Sequence, residues 1–168
     1  MTASFGQGLT VTPLQLAVAY AAIANGGMLM KPYLIDEIVR SDGKNERTSP
    51  TTVRRVISER TATLLSGMLV TVVERGHGTR AGVPGYYIAG KTGTAQIPKS
   101  DGTGYESGPG STIGTFAGFG PVDDPKFAMV VRIDRPRDVQ FAESSAAPLF
   151  GKIAKEILQY YEVPASRR

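Results

Sequence analysis

The chain has 168 residues, 41% apolar and 20% charged, enough for one domain with its own core and too apolar for a disordered chain. Nineteen basic against fifteen acidic residues leave a dispersed net charge of +4, which gives no footprint for nucleic acid. The absence of cysteine excludes disulfide and thiolate chemistry, and a single histidine, His77, excludes a histidine-rich metal site.

Taken in chain order, the first feature is the apolar stretch Leu14–Met30. It is too short for a membrane span and contains Gln15, Asn25 and two glycines, and no Lys or Arg precedes it as in a signal peptide. It reads instead as a helix. Thr12 is its N-cap and Pro13 its first helical residue, and Asn25-Gly-Gly27 ends it. Leu14 to Ala24 is apolar nearly all round, so this helix is expected to be buried. Tyr33–Val39 and Thr52–Ile57 flank a turn signal at Ser41-Asp-Gly-Lys44 and predict the two arms of a long hairpin. Ser58 caps a second helix with the stripe Leu64, Leu65, Met68, Leu69, Val72 and Val73, closed by Arg75 and Gly76.

Three strands are predicted next, at Tyr86–Ile97, Thr112–Phe119 and Lys126–Ile133. The turn Pro121–Pro125 makes the last two an antiparallel pair, and the continuous run Phe127–Val131 predicts cover on both faces. Lys99–Pro109, rich in Gly and Ser, reads as a mobile loop. Leu149, Phe150, Ile153, Ala154, Ile157, Leu158 and Tyr161 form the last and most amphipathic helix, stopped by Pro164. Without repeats or an internal linker, residues 1–168 are expected to form a single domain.

Gly90-Lys-Thr-Gly-Thr94 is the most informative segment, and two chemistries fit it. With Gly85 it matches the phosphate-loop pattern G-x-x-x-x-G-K-[ST] over Gly85–Thr92, and Asp134 is a candidate nucleotide-site aspartate. A phosphate loop needs a flexible turn followed by a helix. Here the loop interior Tyr86-Tyr-Ile-Ala89 is strand-like, and Gly93, Pro98, Gly102 and Gly104 forbid a good helix after it. Read from Lys91, the same residues spell the Lys-Thr-Gly motif of acyl-transfer enzymes, which suits a strand. Lys91 then offers a cation to a substrate carboxylate. Thr92 and Thr94 share one face. Gly93 lets a ligand backbone lie close, and the Thr94 N–H is an oxyanion donor. The bland reading of Lys91 is a lysine on an ordinary edge strand. His77, in Arg75-Gly-His-Gly-Thr-Arg80, reads as part of a loop turn, and Asp123-Asp124 and Arg135–Asp138 as solvated loops. Tyr105 and Glu106 are left open as substrate contacts.

Several stretches together resemble class B penicillin-binding proteins, the peptidoglycan D,D-transpeptidases of bacterial division and elongation. They are Ala3-Ser-Phe-Gly-Gln-Gly8, Thr10-Val-Thr-Pro-Leu-Gln-Leu-Ala17, Asn25-Gly-Gly27 with Lys31-Pro32, Val83-Pro-Gly85, Gly90-Lys-Thr-Gly-Thr-Ala-Gln96 and Phe116-Ala-Gly-Phe119. The resemblance covers essentially the whole chain. It implies an α+β fold, an antiparallel sheet packed by helices as in penicillin-binding transpeptidases and serine β-lactamases, here incomplete. It also implies that Lys91, Thr92, Gly93 and Thr94 line the cleft, with Thr92, Thr94 and Gln96 binding substrate. The implied ligands are a stem peptide ending in D-Ala-D-Ala and the β-lactams that mimic it, without metal or cofactor.

The chain departs from the family in its nucleophile. The Ser-x-x-Lys and Ser-x-Asn motifs precede the Phe-Gly-Gln-Gly segment in the family. Here Ser-x-x-Lys occurs only at Ser41–Lys44, in a turn, and Ser-x-Asn nowhere. Ser41 is therefore read as a decoy, and the chain as the C-terminal half of a transpeptidase domain, inactive alone. The parent is expected to be membrane-anchored, with this domain outside the cytoplasm, and to meet cell-wall synthesis and division proteins. Strands missing beside Lys126–Ile133 would leave an edge through which the fragment dimerises. The alternatives are a nucleotide-binding protein using Gly85–Thr92, or a noncatalytic module that holds cell-wall peptides.

Overall fold

A computed structural model describes residues 9–167, and the segment Ala3–Gly8 lies outside the described residues. The first helix, α1 (Pro13–Ala24), begins as the sequence predicts. The Thr12 hydroxyl accepts from the Gln15 backbone N–H at 3.1 Å, and the Gln15 side chain accepts from the Thr12 N–H at 2.8 Å. This reciprocal capping box satisfies two N–H groups that have no partner inside the helix. Asn25 closes the helix, and Gly26 and Gly27, both at positive φ, turn the chain back.

The expected burial of α1 is not observed. Only Ala22 is buried, and Leu14 is 62% exposed. α1 rests on β6 and β7 and also touches β1 and α2, yet most of its side chains stay only partly covered. An all-round apolar sequence can bury no more than its neighbours cover.

The predicted long hairpin is also rearranged. Strand β1 (Met28–Lys31) pairs with β4 (Thr51–Arg55), while β2 (Glu37–Val39) pairs with β3 (Asn45–Arg47) around the Ser41–Lys44 turn. The arm opposite Val39 is thus Asn45–Arg47, and Thr51–Arg55 reaches past it to Met28–Lys31. Met28–Lys31 and Asn45–Arg47 lack a clean alternation and escape a pattern-based reading.

Helix α2 (Glu59–Arg75) is capped by Ser58, whose hydroxyl accepts from the Thr61 N–H at 3.1 Å. Of its predicted stripe, Val73 is buried, whereas Leu64 and Met68 are more than half exposed. The inner face is rotated toward Ala62 and Val73.

The central sheet is antiparallel, in the order β5 (Ala89–Gln96), β6 (Thr112–Gly120), β7 (Phe127–Asp134). β5 starts three residues later than predicted. Tyr86 is held outside it by the Val83–Tyr86 turn and by its hydroxyl, which donates to the Val163 carbonyl at 2.6 Å. The register pairs Gly90 with Gly118, Thr92 with Phe116 and Thr94 with Gly114.

Helices sit on both faces of β7, as the Phe127–Val131 run predicts, with α1 on one and α3 (Ala146–Tyr160) on the other. The core lies between α3, the sheet and the end of α2, built on Phe116, Phe150, Ile88, Val131 and Leu158. Phe116 and Phe150 meet at 4.6 Å between ring centroids with planes tilted by 56°. α3 approaches β6 closely because two of its sheet positions are glycines. A Cβ on Gly118 would come 3.0 Å from Phe150 Cζ and 2.5 Å from the Ala89 carbonyl oxygen. One on Gly114 would come 2.5 Å from Ser145 Oγ. Gly118→Ala is therefore expected to cost about 1–3 kcal/mol by overpacking, read as a lower denaturation midpoint with an unchanged m-value.

Candidate functional site

β5 is an edge strand. Among the described residues only β6 pairs with it, and from Lys91 to Gln96 every residue is exposed except the half-buried Thr92. The orientation of its backbone follows from one contact. Just past β5, the Ile97 N–H donates to the Ser111 carbonyl at 3.0 Å, in the register of the β5–β6 ladder. In an antiparallel ladder alternate residues turn their N–H and C=O toward the partner. Residues 91, 93 and 95 therefore face β6, and Thr92, Thr94 and Gln96 direct theirs to the open side. A strand edge of this kind offers unpaired donors and acceptors to an extended peptide.

The side chains arm that edge. Lys91 Nζ donates to the Thr92 carbonyl oxygen at 2.9 Å and to Thr92 Oγ1 at 3.2 Å, so the ammonium is folded over the edge beside a hydroxyl. Thr92 and Thr94 lie on one face, as alternation predicts, and together line a pocket of about 340 Å³ with His77, Phe141 and Glu143. The Thr94 hydroxyl accepts from the Ala142 N–H at 3.1 Å, which leaves its proton available to a ligand. On the other face, Lys91, Ala95 and Thr115 line a second pocket with Leu16 and Tyr20 of α1, where burial pushes the Tyr20 phenol above its ordinary value.

Gly93 carries its own information. A Cβ there would meet nothing closer than Thr115 Cβ at 4.0 Å, so the fold itself does not require glycine at this position. Gln96, the last residue of β5, is exposed at the end of the edge.

The structure overturns the phosphate-loop reading of Gly85–Thr92. β5 runs straight through Lys91 and Thr92 to Gln96, and no helix begins after them, so their N–H groups cannot converge on a phosphate. Asp134 is engaged by Arg132 at 2.6 and 3.1 Å. Ser41 sits in the exposed β2–β3 turn, away from any helix start.

Lys99–Pro109, read as a mobile loop, is tied to the β5–β6 hairpin. Pro98 bridges Tyr105, the Glu106 N–H donates to the Ile97 carbonyl at 2.8 Å, and Arg135 grips the Glu106 carboxylate at 2.6 and 2.8 Å. Glu106 is thus committed to Arg135. His77 and Glu143 are the residues that a sequence reading misses: the imidazole Nδ1 lies 2.6 Å from Glu143 Oε2 across 66 positions, and no local pattern marks the pair.

With this geometry in place, comparison with known proteins is decisive. A model of the penicillin-binding protein transpeptidase domain matches residues 1–159. The chain belongs to the penicillin-binding protein transpeptidase family. It is 41% identical over 162 residues to stage V sporulation protein D of Bacillus subtilis, covering 94% of this chain and 24% of that protein. It is 42% identical over 171 residues to penicillin-binding protein PbpB of Mycobacterium tuberculosis, covering 96% and 25%. Penicillin-binding protein 3 of M. tuberculosis superimposes with a TM-score of 0.85 at 37% identity over 96% of this chain and 38% of that one. A further structure of that protein, with the same TM-score, holds ampicillin. The chain thus spans about a quarter of the length of the curated relatives it matches. Family and fold agree with the resemblance drawn from the motifs.

The Arg135 guanidinium holds the Glu106 carboxyl below the usual carboxylate range. A depressed folded value means that the contact stabilises the hairpin above the ordinary carboxylate value and is lost as pH falls through the depressed one. A carbon-detected NMR titration should give Glu106 a midpoint below that of an unstructured glutamate, and Arg135→Gln should return it upward.

Proposed function

We propose that this chain supplies the substrate-binding wall of a peptidoglycan D,D-transpeptidase. The reading rests chiefly on the open edge of β5, where an ammonium, two hydroxyls and outward backbone groups stand along one extended strand. A stem peptide ending in D-Ala-D-Ala adds as an antiparallel or parallel strand to this edge. Lys91 and the Thr92 and Thr94 hydroxyls receive its terminal carboxylate. The Thr94 N–H, on the outward-facing side, donates to the scissile carbonyl oxygen as charge develops there. Gly93 gives room for the ligand backbone, consistent with a glycine that the fold does not otherwise require. Gln96 borders the far end of the bound strand. β-Lactams, which imitate the peptide's acyl-D-Ala-D-Ala end, occupy the same edge.

The reaction class of the family is acyl transfer to a serine followed by attack of a second peptide's amine. Ser41 does not supply this nucleophile, since it stands in a hairpin turn without a helix to bring Lys44 against it. These 168 residues therefore bind but do not acylate, and the serine, with its general base, belongs to the rest of the transpeptidase. The parent acts outside the cytoplasm, anchored in the bacterial cytoplasmic membrane. Among the described residues of this chain no helix is long and apolar enough to cross a membrane.

The test combines intact-mass spectrometry after exposure to a reactive penicillin with calorimetric titration of a D-Ala-D-Ala peptide and its C-terminal amide. The expected result is an unchanged mass, measurable binding of the free carboxylate and weaker binding of the amide. A covalent adduct on any serine of this chain overturns the absent nucleophile, and equal affinity for acid and amide overturns the carboxylate role of Lys91 and the threonines. Lys91→Ala should weaken the carboxylate peptide about tenfold, the scale of one hydrogen bond to a charged group. Gly93→Ala should weaken the peptide while leaving the denaturation free energy within ~0.5 kcal/mol, as expected where the new methyl makes at most an ordinary van der Waals contact with Thr115.

A further inference from the structure

The His77–Glu143 contact joins two loops, each shaped by its own hydrogen bonds, on either side of Thr92 and Thr94. The first loop follows α2. There the N–H groups of Gly76 and Gly78 both donate to the Val72 carbonyl, at 3.0 and 3.1 Å, which leaves His77 displayed at the tip. The second precedes α3. In it the Ser144 N–H donates to the Phe141 carbonyl, the Ala147 N–H to the Ala142 carbonyl, and the Ser145 hydroxyl to the Phe141 carbonyl. Glu143 projects from this turn to His77 Nδ1, and its neighbour Ala142 donates its N–H to Thr94 Oγ1. An ionised carboxylate only accepts, so Nδ1 carries the shared proton.

We infer that His77 and Glu143 form a latch that positions the Thr94 hydroxyl through Ala142. The latch fastens the 141–145 turn over the strand, Ala142 N–H then occupies one side of Thr94 Oγ1, and the hydroxyl proton is turned toward the open edge. His77 and Glu143 are positioning residues. The side chains are 84% and 40% exposed, so the pair adds little to global stability, and its effect is local to the cleft wall. The inference rests on the reading of β5 as a peptide-binding edge, yet its first link, from His77 to Ala142, can be observed without any ligand.

The experiment measures amide exchange at Ala142 by NMR in the full 168-residue chain, and then the affinity for the D-Ala-D-Ala peptide, in His77→Ala and His77→Asn. Asparagine places a side-chain N–H near the position of Nδ1 and keeps the contact to Glu143. For His77→Ala, exchange at Ala142 is expected to rise about two- to fivefold and peptide affinity to fall by a similar factor, with the melting temperature unchanged. His77→Asn should restore both. Unchanged exchange at Ala142 overturns the latch, and faster exchange with unchanged affinity overturns its role in positioning Thr94. Failure of the unmodified chain to bind the peptide counts against the proposed function instead, and the exchange at Ala142 still decides whether the latch exists.

Discussion

The close seat of α3 on the central sheet is the constraint from which the site follows. Gly114 and Gly118 remove the side chains that would hold the helix away, so Phe150 reaches Phe116 and Ser145 comes against β6. The turn that leads into α3 is thereby lowered onto the face of β5, where Ala142 meets Thr94. With bulkier residues at those two positions, the helix and its leading turn would stand off, and the threonine face would lose one wall. Core packing and the geometry of the threonine face are therefore coupled through the same two glycines. This is how a densely packed interior transmits a change of one methyl group.

The strand that carries Lys91, Thr92 and Thr94 is exposed for a physical reason as well. An open edge leaves N–H and C=O groups unpaired, a state that most proteins guard against because it invites other strands. Here the first residues of β5, Ala89 and Gly90, are buried, and the rest carry a lysine, two threonines and a glutamine instead of an apolar ladder. Polar side chains keep the edge wetted while its backbone stays available. The folded-over ammonium of Lys91 also caps the Thr92 carbonyl, an acceptor at which another donor can take the ammonium's place.

Elements whose signals are local were legible in the sequence. Thr12 with Pro13 and Gln15, and Ser58 before α2, mark helix starts because an N-cap is decided within four residues. The three strands of the central sheet and the antiparallel turn at Pro121–Pro125 follow from apolar runs and turn residues. The partners of Met28–Lys31 and Asn45–Arg47 were not legible, since pairing in a ribbon depends on which segment arrives opposite and not on the pattern of either strand. The exposure of α1 was misjudged for a related reason, because hydrophobicity states what a helix can bury and not what is available to cover it.

The sequence by itself determined the family, the Lys91-Thr-Gly93 strand, the three helices and the three strands of the central sheet, because motif, cap and period are carried by neighbouring residues. Only the tertiary structure decided what surrounds the β5 edge. Ala142 meets Thr94 across 48 positions, His77 meets Glu143 across 66 and Arg135 meets Glu106 across 29. Each of these contacts joins segments with no local signal for one another. They meet because α3, the sheet and the hairpin pack together, and packing is a property of the whole chain.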